Sequence, residues 1–510
     1  MLDKSLFLNK DGSLSQLERM KQKNHMEPSG PPPLIFEQSQ PGRQSSVLAR
    51  SSADAEPMSS LIPGEFLADK APDLPELDEL SVVRHYVRLS QLNFAIDKNF
   101  YPLGSCTMKY NPKRNERIAS LPGFASVHPY QPSRSVQGLL EVLYELQNYL
   151  AEIAGLHAVS LQPAAGAHGE LTALLVAAAH FRSIGEKRAN VLVPDSAHGT
   201  NPSSAHIAGF DAVTVKSGPS GLVDLDDLKA KLNSQTAVFM ITNPNTAGLF
   251  DHQIGTISSM LREQGALMYL DGANMNAILG VVRPGDMGAD LMHYNPHKTF
   301  SGPHGGGGPG AGPIAVRQHL AKFLPSPMVV RRESGVYELD NDRPESIGRV
   351  RATFGNVGVL VRAWAYIRSQ GPDGLKNISE MAVLNANYLL SSLKDVYPVP
   401  MGDRCMHEFV ASARAMSREK GVRAMDIAKR LLDYGFHAPT VYFPMIIAEA
   451  LMIEPTESES RQTLDQFILA MRAIAQESPD VLHAAPSTTP VDRPDEVQAA
   501  RNPVLRWRRK

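Results

Sequence analysis

Between residues 158 and 316 the chain alternates short β-rich runs with helical segments, and this alternation limits the fold more than any other feature. Candidate strands are 158–161, 190–193, 211–215, 237–242, 266–270, 290–293 and 313–316, with helices such as 171–182 and 254–264 between several of them. A strand, a helix and a further strand make a crossover unit, and a series of them gives a mostly parallel sheet covered on both faces. Ligands of such a sheet sit beyond the carboxyl ends of its strands. An amphipathic helix leads in: Val136, Leu139, Leu140, Leu143, Leu146, Leu150 and Ile153 recur at three and four, and Gly155 closes it.

The flanks read differently. Pro31-Pro32-Pro33, Pro41-Gly42 and the Ser-rich stretch 45–60 hold little core material and predict an extended arm. Such an arm either wraps a neighbouring subunit or stays a free tail, and the residues leave both open. After about Gly371, long helical stretches (378–394, 461–475) flank isolated strands (408–413, 445–450), which reads as a smaller α+β domain. The expected division is an arm over 1–60, a large domain over 61–370 with a helical lead-in to about 135, a small domain over 371–490 and a tail over 491–510. A chain of 510 residues is long enough for two such cores.

Composition excludes several function classes. The net charge of −2 offers no bulk attraction for nucleic acid or a membrane surface, and the basic end Arg506-Trp507-Arg508-Arg509-Lys510 reads as a solvated tail. Two cysteines, Cys106 and Cys405, make neither a disulfide framework nor a zinc cluster and point to a reducing compartment. Residues 1–30 contain no apolar run of signal-peptide length, and no stretch approaches the roughly 18 apolar residues of a membrane span. A cytoplasmic protein is expected.

Three segments carry chemistry. Leu161-Gln162-Pro163-Ala164-Ala165-Gly166-Ala167-His168-Gly169-Glu170 is a small-residue turn entering a helix. Unpaired N–H groups at such a start seat a phosphate, although the segment alone is also a plain strand–helix turn. In Tyr269-Leu270-Asp271-Gly272-Ala273-Asn274 a carboxylate directly follows an apolar run, at the open sheet edge. There it can keep a pyridine nitrogen protonated so that the ring accepts electrons; alone, Asp-Gly is a turn. The third is His293-Tyr294-Asn295-Pro296-His297-Lys298-Thr299-Phe300-Ser301-Gly302-Pro303-His304, followed by Gly305 to Gly308. Burial lowers a lysine's pKa and leaves an amine able to condense with an aldehyde, whereas a lone Lys also reads as a salt-bridge partner.

Two strings imitate other sites. Gly305, Gly307 and Gly310 match a dinucleotide fingerprint, but Pro309 interrupts them and a strand follows. His293 and His297 have helical metal spacing, yet Pro296 lies between them, so no metal is expected.

The phosphate turn, Asp271 and then Lys298, on successive strand ends, resemble the order of the aspartate-aminotransferase-like (fold type I) pyridoxal-phosphate enzymes. In that likeness His198, within Pro194-Asp195-Ser196-Ala197-His198-Gly199-Thr200, stacks on the cofactor ring, and Asn243-Pro244-Asn245-Thr246 resembles the loop near the ring hydroxyl. Longer strings go further. Tyr101-Pro102-Leu103-Gly104-Ser105-Cys106-Thr107-Met108-Lys109-Tyr110-Asn111-Pro112, the 193–202 segment, Asp271-Gly272-Ala273-Asn274-Met275-Asn276-Ala277 and the block around His297-Lys298-Thr299-Phe300 resemble the glycine-decarboxylating P-proteins of the glycine cleavage system. The likeness covers residues 34 to 485. Length and the Leu34-Ile35-Phe36-Glu37…Pro41-Gly42-Arg43 arm are similar to the second subunit of the two-subunit bacterial form.

The resemblance implies decarboxylation of glycine and transfer of its aminomethyl group to the lipoyl arm of H-protein, with a Lys-deficient glycine dehydrogenase subunit 1 as the standing partner. It implies pyridoxal 5'-phosphate held as a Schiff base by Lys298, with Asp271, His198, Gly166, Ala167, His168, Asn245 and Ala273 around it, and Lys298 and His198 as catalytic groups. Relatives often have Ser where this chain has Ala165, so His168 is expected to supply the missing phosphate donor, and the loop Thr353-Phe354-Gly355-Asn356 to serve the cofactor phosphate of its own or the facing site. Cys106 reads either as a small buried residue or as a redox-active thiol near substrate entry. Rival readings are another fold type I lyase or decarboxylase, and a non-catalytic scaffold half, which would lack Lys298.

Overall fold

The structure, a computed structural model, describes residues 32–43, 57–70, 72–304 and 310–506. Residues 1–31, most of the Ser-rich stretch, the Gly305–Pro309 glycine block and residues 507–510 of the basic tail lie outside the described residues. The chain divides into two compact units, one formed by 96–484 and one by 1–95 with 485–510.

The 96–484 unit is built on a seven-stranded sheet of β1 (Ala158–Ser160), β2 (Asn190–Pro194), β3 (Asp211–Val215), β4 (Thr236–Thr242), β5 (Leu267–Asp271), β6 (Leu291–His293) and β7 (Ile314–Val316), ordered β1-β7-β6-β5-β4-β2-β3. All seven expected strands form. From β3 to β6 the neighbours are parallel, and only β7 runs against both of its partners. The strands β4 and β5 are buried at every position, as central strands covered on both faces must be. Edge strand β3 is mostly open and accordingly carries Asp211 and Thr214.

Each face has its own core. The helix Gln137–Ala154 lays Leu139, Leu143, Leu146 and Leu150 on one face, together with Phe239, Ile241 and Leu270 of the sheet. Its left-handed cap is Gly155, at φ 64°, as expected from a glycine closing the apolar pattern. On the other face the helix Gly166–Ser183 contributes Ala173, Leu174, Ala177 and Phe181, packed with Val191, Met240 and Tyr269. This is the fold type I α/β architecture.

Beyond it, a long helix Val357–Leu393 breaks at Gly371 (φ 63°), where Pro372 follows. A three-stranded antiparallel sheet, β10 (Phe409–Ser412), β12 (Ala450–Ile453) and β11 (Thr440–Val441), lies in the later part of the unit, after the hairpin β8 (Met328–Arg331) and β9 (Tyr337–Asp340). The strand expected at 445–450 forms at 450–453 instead. Pro444 lacks an amide donor and Glu449 takes a left-handed φ of 50°, so pairing starts only after them.

In the other unit, the helix Glu79–Leu92 is capped by Asp78, which accepts from Ser81 N–H at 2.9 Å. Arg43 Nε donates to the same Asp78 at 2.7 Å, and Gln38 Nε2 lies 2.8 Å from His85 Nδ1. Among the described residues no helix is long and apolar enough to cross a membrane.

Candidate active site

The carboxyl ends of β2, β4, β5 and β6 and the start of the Gly166–Ser183 helix meet around one cavity of about 240 Å³. It brings together Gly166, Ala167, His198, Asp271, Ala273 and Lys298, six of the residues singled out from sequence.

The helix start is bare. Ala165, extended at φ −157°, offers no side-chain cap, so the first amides, of Gly166 and Ala167, have no acceptor within the helix. Glycine keeps this start clear: a Cβ at 166 would stand 2.3 Å from Asn295 Oδ1 and push that side chain aside. His168 does not line the cavity: its Nδ1 accepts from Ala164 N–H at 3.2 Å and the ring also bonds the backbone of Val350, which spends it on backbone groups. Asn356 likewise buttresses the turn, donating to Ala164 O at 3.0 Å and Gly310 O at 2.5 Å, and accepting from Arg351 at 3.0 Å.

Asp271 ends β5, buried, with Oδ1 accepting from Ala273 N–H (2.9 Å) and Oδ2 from Asn201 Nδ2 (3.3 Å). Beside it stands His293, whose Nε2 is 3.7 Å from Asp271 Oδ1 and whose Nδ1 is 2.5 Å from Tyr269 Oη. Burial holds the His293 imidazole below its usual pKa, against the pull of Asp271. Sequence spacing had offered His293 only as an imitation metal ligand. Its place at a strand end, facing the same sheet edge as Asp271, was the available signal.

Lys298 follows β6 in a segment whose Tyr294, Asn295, Thr299 and Phe300 are buried. The lysine itself is half-buried and opens into the cavity, with Nζ donating to Ser105 O at 2.7 Å. His198, past β2, keeps a good part of its surface open at the cavity, yet the protein packed behind it lowers its pKa, desolvation first, with Asp271 opposing and Lys298 adding. Thr200 Oγ1 lies 2.8 Å from His198 Nδ1 and 2.8 Å from Glu170 Oε1.

Asn245 is not part of this cavity. Its Oδ1 accepts from Ala247 and Leu249 N–H and its Nδ2 donates to Gly221 O, so the side chain closes its own loop and faces a separate small hollow. Thr242, Thr246 and Asn274 line the main cavity instead.

Behind Lys298 lies a layer that sequence reasoning missed. Ser105 and Thr107 both take left-handed φ values, 62° and 47°, on either side of Cys106. They are held by two fully buried glutamates: Glu408 accepts from Ser105 N–H at 2.7 Å, and Glu454 from Thr107 N–H at 2.9 Å and Thr107 Oγ1 at 2.6 Å. Burial and mutual repulsion push Glu408 well up, and burial pushes Glu454 to about 7. His407 sits between them, fully buried and pushed down to about 3 by burial. The Cys106 thiol, partly exposed, is also raised by burial, against Lys298.

The cavity suits pyridoxal phosphate: a glycine-cleared helix start with free amides for the phosphate, a buried carboxylate at a strand end, and an amine opening between them. Asn295 Oδ1, beside the helix start, is buried without a hydrogen-bond partner among the described residues. Fold and cavity together define a pyridoxal-phosphate enzyme.

Comparison with known proteins narrows the class. Residues 168–329 match the family model Aminotransferase class-V, and residues 378–491 match Glycine dehydrogenase, C-terminal domain. A protein of Rhodopirellula baltica named probable glycine dehydrogenase (decarboxylating) subunit 2 is 62% identical over 93% of this chain and 97% of its own length. One of the same name from Halalkalibacterium halodurans is 54% identical over 93% and 98%. Among solved structures, an inhibitor-bound glycine decarboxylase (P-protein) of the glycine cleavage system superposes with a TM-score of 0.69 at 23% identity, covering 84% of this chain and 95% of that one. A cysteine desulfurase from Thermococcus onnurineus superposes at 0.58 and 16% identity, over 74% of this chain and 95% of that one. The chain belongs to the glycine dehydrogenase (decarboxylating) subunit 2 family.

Proposed function

We propose that this chain decarboxylates glycine with pyridoxal phosphate and passes the remaining aminomethyl group to the lipoyl arm of H-protein, releasing CO2, as the Lys-bearing subunit of a glycine cleavage enzyme. The observation that carries this reading is the convergence of Lys298, Asp271 and the bare helix start on one cavity, in a chain 62% identical to a named relative.

Bound pyridoxal phosphate supplies the conjugated system that spreads the electron pair left when CO2 departs from glycine. The chain's own groups do the rest. The amine of Lys298 holds the cofactor and, once glycine replaces it, is free to move a proton at the glycine α-carbon. Asp271, pinned by Ala273 and Asn201, serves the ring nitrogen and keeps it protonated. The amides of Gly166 and Ala167 hold the phosphate. His198 stacks on the ring and orients it.

The relatives are named as second subunits, which implies a companion. We take it to be a homologous subunit without the lysine, in an α2β2 assembly that H-protein visits transiently. The two cysteines, both free thiols, go with a cytoplasmic setting.

The test is glycine–bicarbonate carbon exchange with lipoylated H-protein, run on the purified chain and again with the companion added. Exchange that needs both subunits supports the reading in full. Full exchange by the chain alone refutes the two-subunit part, and no exchange under either condition refutes the activity. Borohydride treatment of the cofactor-loaded chain tests the tether independently and labels the Lys298 peptide; a label on another lysine overturns that assignment.

A further inference from the structure

Thr200 stands between an imidazole and a carboxyl group. Its hydroxyl oxygen is 2.8 Å from His198 Nδ1 and 2.8 Å from Glu170 Oε1, and its backbone N–H points at the same Nδ1 from 3.3 Å. A hydroxyl has one proton, so it donates to one neighbour and accepts from the other. The backbone N–H decides which. It can approach Nδ1 only if that nitrogen carries a lone pair. The Thr200 hydroxyl then donates to Nδ1 too, and the only proton left for the contact with Glu170 belongs to Glu170.

We propose that Glu170 is a protonated carboxyl that acts through Thr200 as a positioning residue and keeps the ring proton of His198 on Nε2. This rests on the proposed place of His198 beside the cofactor.

The surroundings of Glu170 agree. It lies one turn beyond the phosphate seat on the Gly166–Ser183 helix, 5% exposed, and faces Asp271 of β5. Burial first, and the charge of Asp271 second, push its carboxyl up to about 8; Thr200 and Ser204 of the Thr200–Ile207 helix, and Lys298, pull the other way. Around His198 the charged groups are Asp271 and Lys298, with the edge of Phe443 at 6.0 Å. The first turn of the Thr200–Ile207 helix thus serves both acids: Asn201 donates to Asp271 while Thr200 meets Glu170.

The consequence is chemical. With its proton on Nε2, neutral His198 offers the cavity a donor and not a base. When Glu170 ionises, its carboxylate takes the Thr200 hydroxyl proton as a hydrogen bond. The Nδ1 lone pair then keeps only the longer contact from Thr200 N–H, so the Nε2–H form loses its main support and the two tautomers mix. One buried carboxyl therefore sets how firmly the ring proton is held on Nε2.

The test is long-range proton–nitrogen NMR on the loaded enzyme labelled with ring-¹⁵N histidine, the His198 signals being assigned by their loss in His198→Gln. In the wild type at pH 6.5, Nε2 is protonated and Nδ1 is not, and the tautomers mix as pH passes through about 8. Glu170→Gln keeps an N–H donor toward Thr200, so it preserves the Nε2–H form and abolishes the mixing up to pH 9. Thr200→Val removes the relay and mixes the tautomers at pH 6.5, whereas Thr200→Ser restores the wild-type pattern. An Nδ1–H ring in the wild type at pH 6.5, or tautomer mixing near pH 8 that persists in Glu170→Gln, overturns the proposal. Neither readout uses turnover, so a wrong reading of the activity does not imitate either failure.

Discussion

Asp271 cannot rotate out of its place, because one oxygen is held by Ala273 N–H and the other by the Asn201 amide, at the end of a wholly buried strand. In the roles proposed for these residues, replacing it by Ala leaves Lys298 to hold the cofactor but removes the charge that would keep the ring nitrogen protonated. Turnover should fall by about a hundredfold or more, the usual loss for one preorganised electrostatic partner, while borohydride labelling of Lys298 persists. Unchanged turnover removes Asp271 from that role. His198→Ala should lower kcat by more than it lowers Tm, since an orienting ring acts at the reacting centre; a large fall in Tm with unaltered kinetics would return His198 to ordinary packing. The glutamate layer behind Lys298 gives a pH signature. Glu454 rises from the usual 4.5 to about 7, so its contribution is full below pH 4.5 and is lost as pH climbs toward 7. One such proton is worth at most about 1.4 kcal/mol per pH unit. In Glu454→Gln that loss disappears, and the variant's Tm should gain on the wild type's between pH 4.5 and 7. A difference that stays flat across that window refutes the buried acid.

At the scale of elements, the site depends on strands that end close together and on a helix that starts without a cap. Gly272 shows how close: a Cβ there would stand 1.9 Å from His293 O, so β5 and β6 can deliver Asp271 and Lys298 side by side only with glycine at this turn. Gly272→Ala should lower stability by about 1–3 kcal/mol or more, the usual range for overpacking, read as a fall in the circular-dichroism Tm. At the helix start, the Cβ of Gly166→Ala would meet Asn295 Oδ1 at 2.3 Å. Here the fold should hold while cofactor affinity drops by about tenfold, roughly 1.4 kcal/mol, measured by titrating the cofactor-free protein. Equal affinity would mean the phosphate sits elsewhere. The strands, the 137–154 helix and the body of the 166–183 helix, expected over 171–182, were legible because apolar period and glycine punctuation are local. The 445–450 strand was misplaced because an apolar run continues through Pro444 and Glu449, whose backbone conformations the run does not reveal. His168 and Asn245 were assigned to the cavity by likeness of sequence, and each spends its side chain on backbone groups of its own turn and of one other segment, Val350 for His168 and Gly221 for Asn245.

For the whole molecule, the expectation is that the chain works only with a companion. Sedimentation of the two purified subunits together should show a species of four chains with paired stoichiometry. A mixture that sediments as the separate subunits counts against the assembly. The positions of the strands along the chain, the alternation with helices, the lysine after the sixth strand and the aspartate after the fifth were all set by residues close in sequence, because period, punctuation and the placement of a polar residue after an apolar run are local properties. What only the tertiary structure decided was which of those residues meet. Residues 105, 170, 200, 271, 293, 298, 408 and 454 come from separate elements of one unit, and their approach is fixed by sheet order and by glycine-cleared contacts. The raised pKa values of Glu170 and Glu454 arise from that burial and company, not from their sequence neighbours.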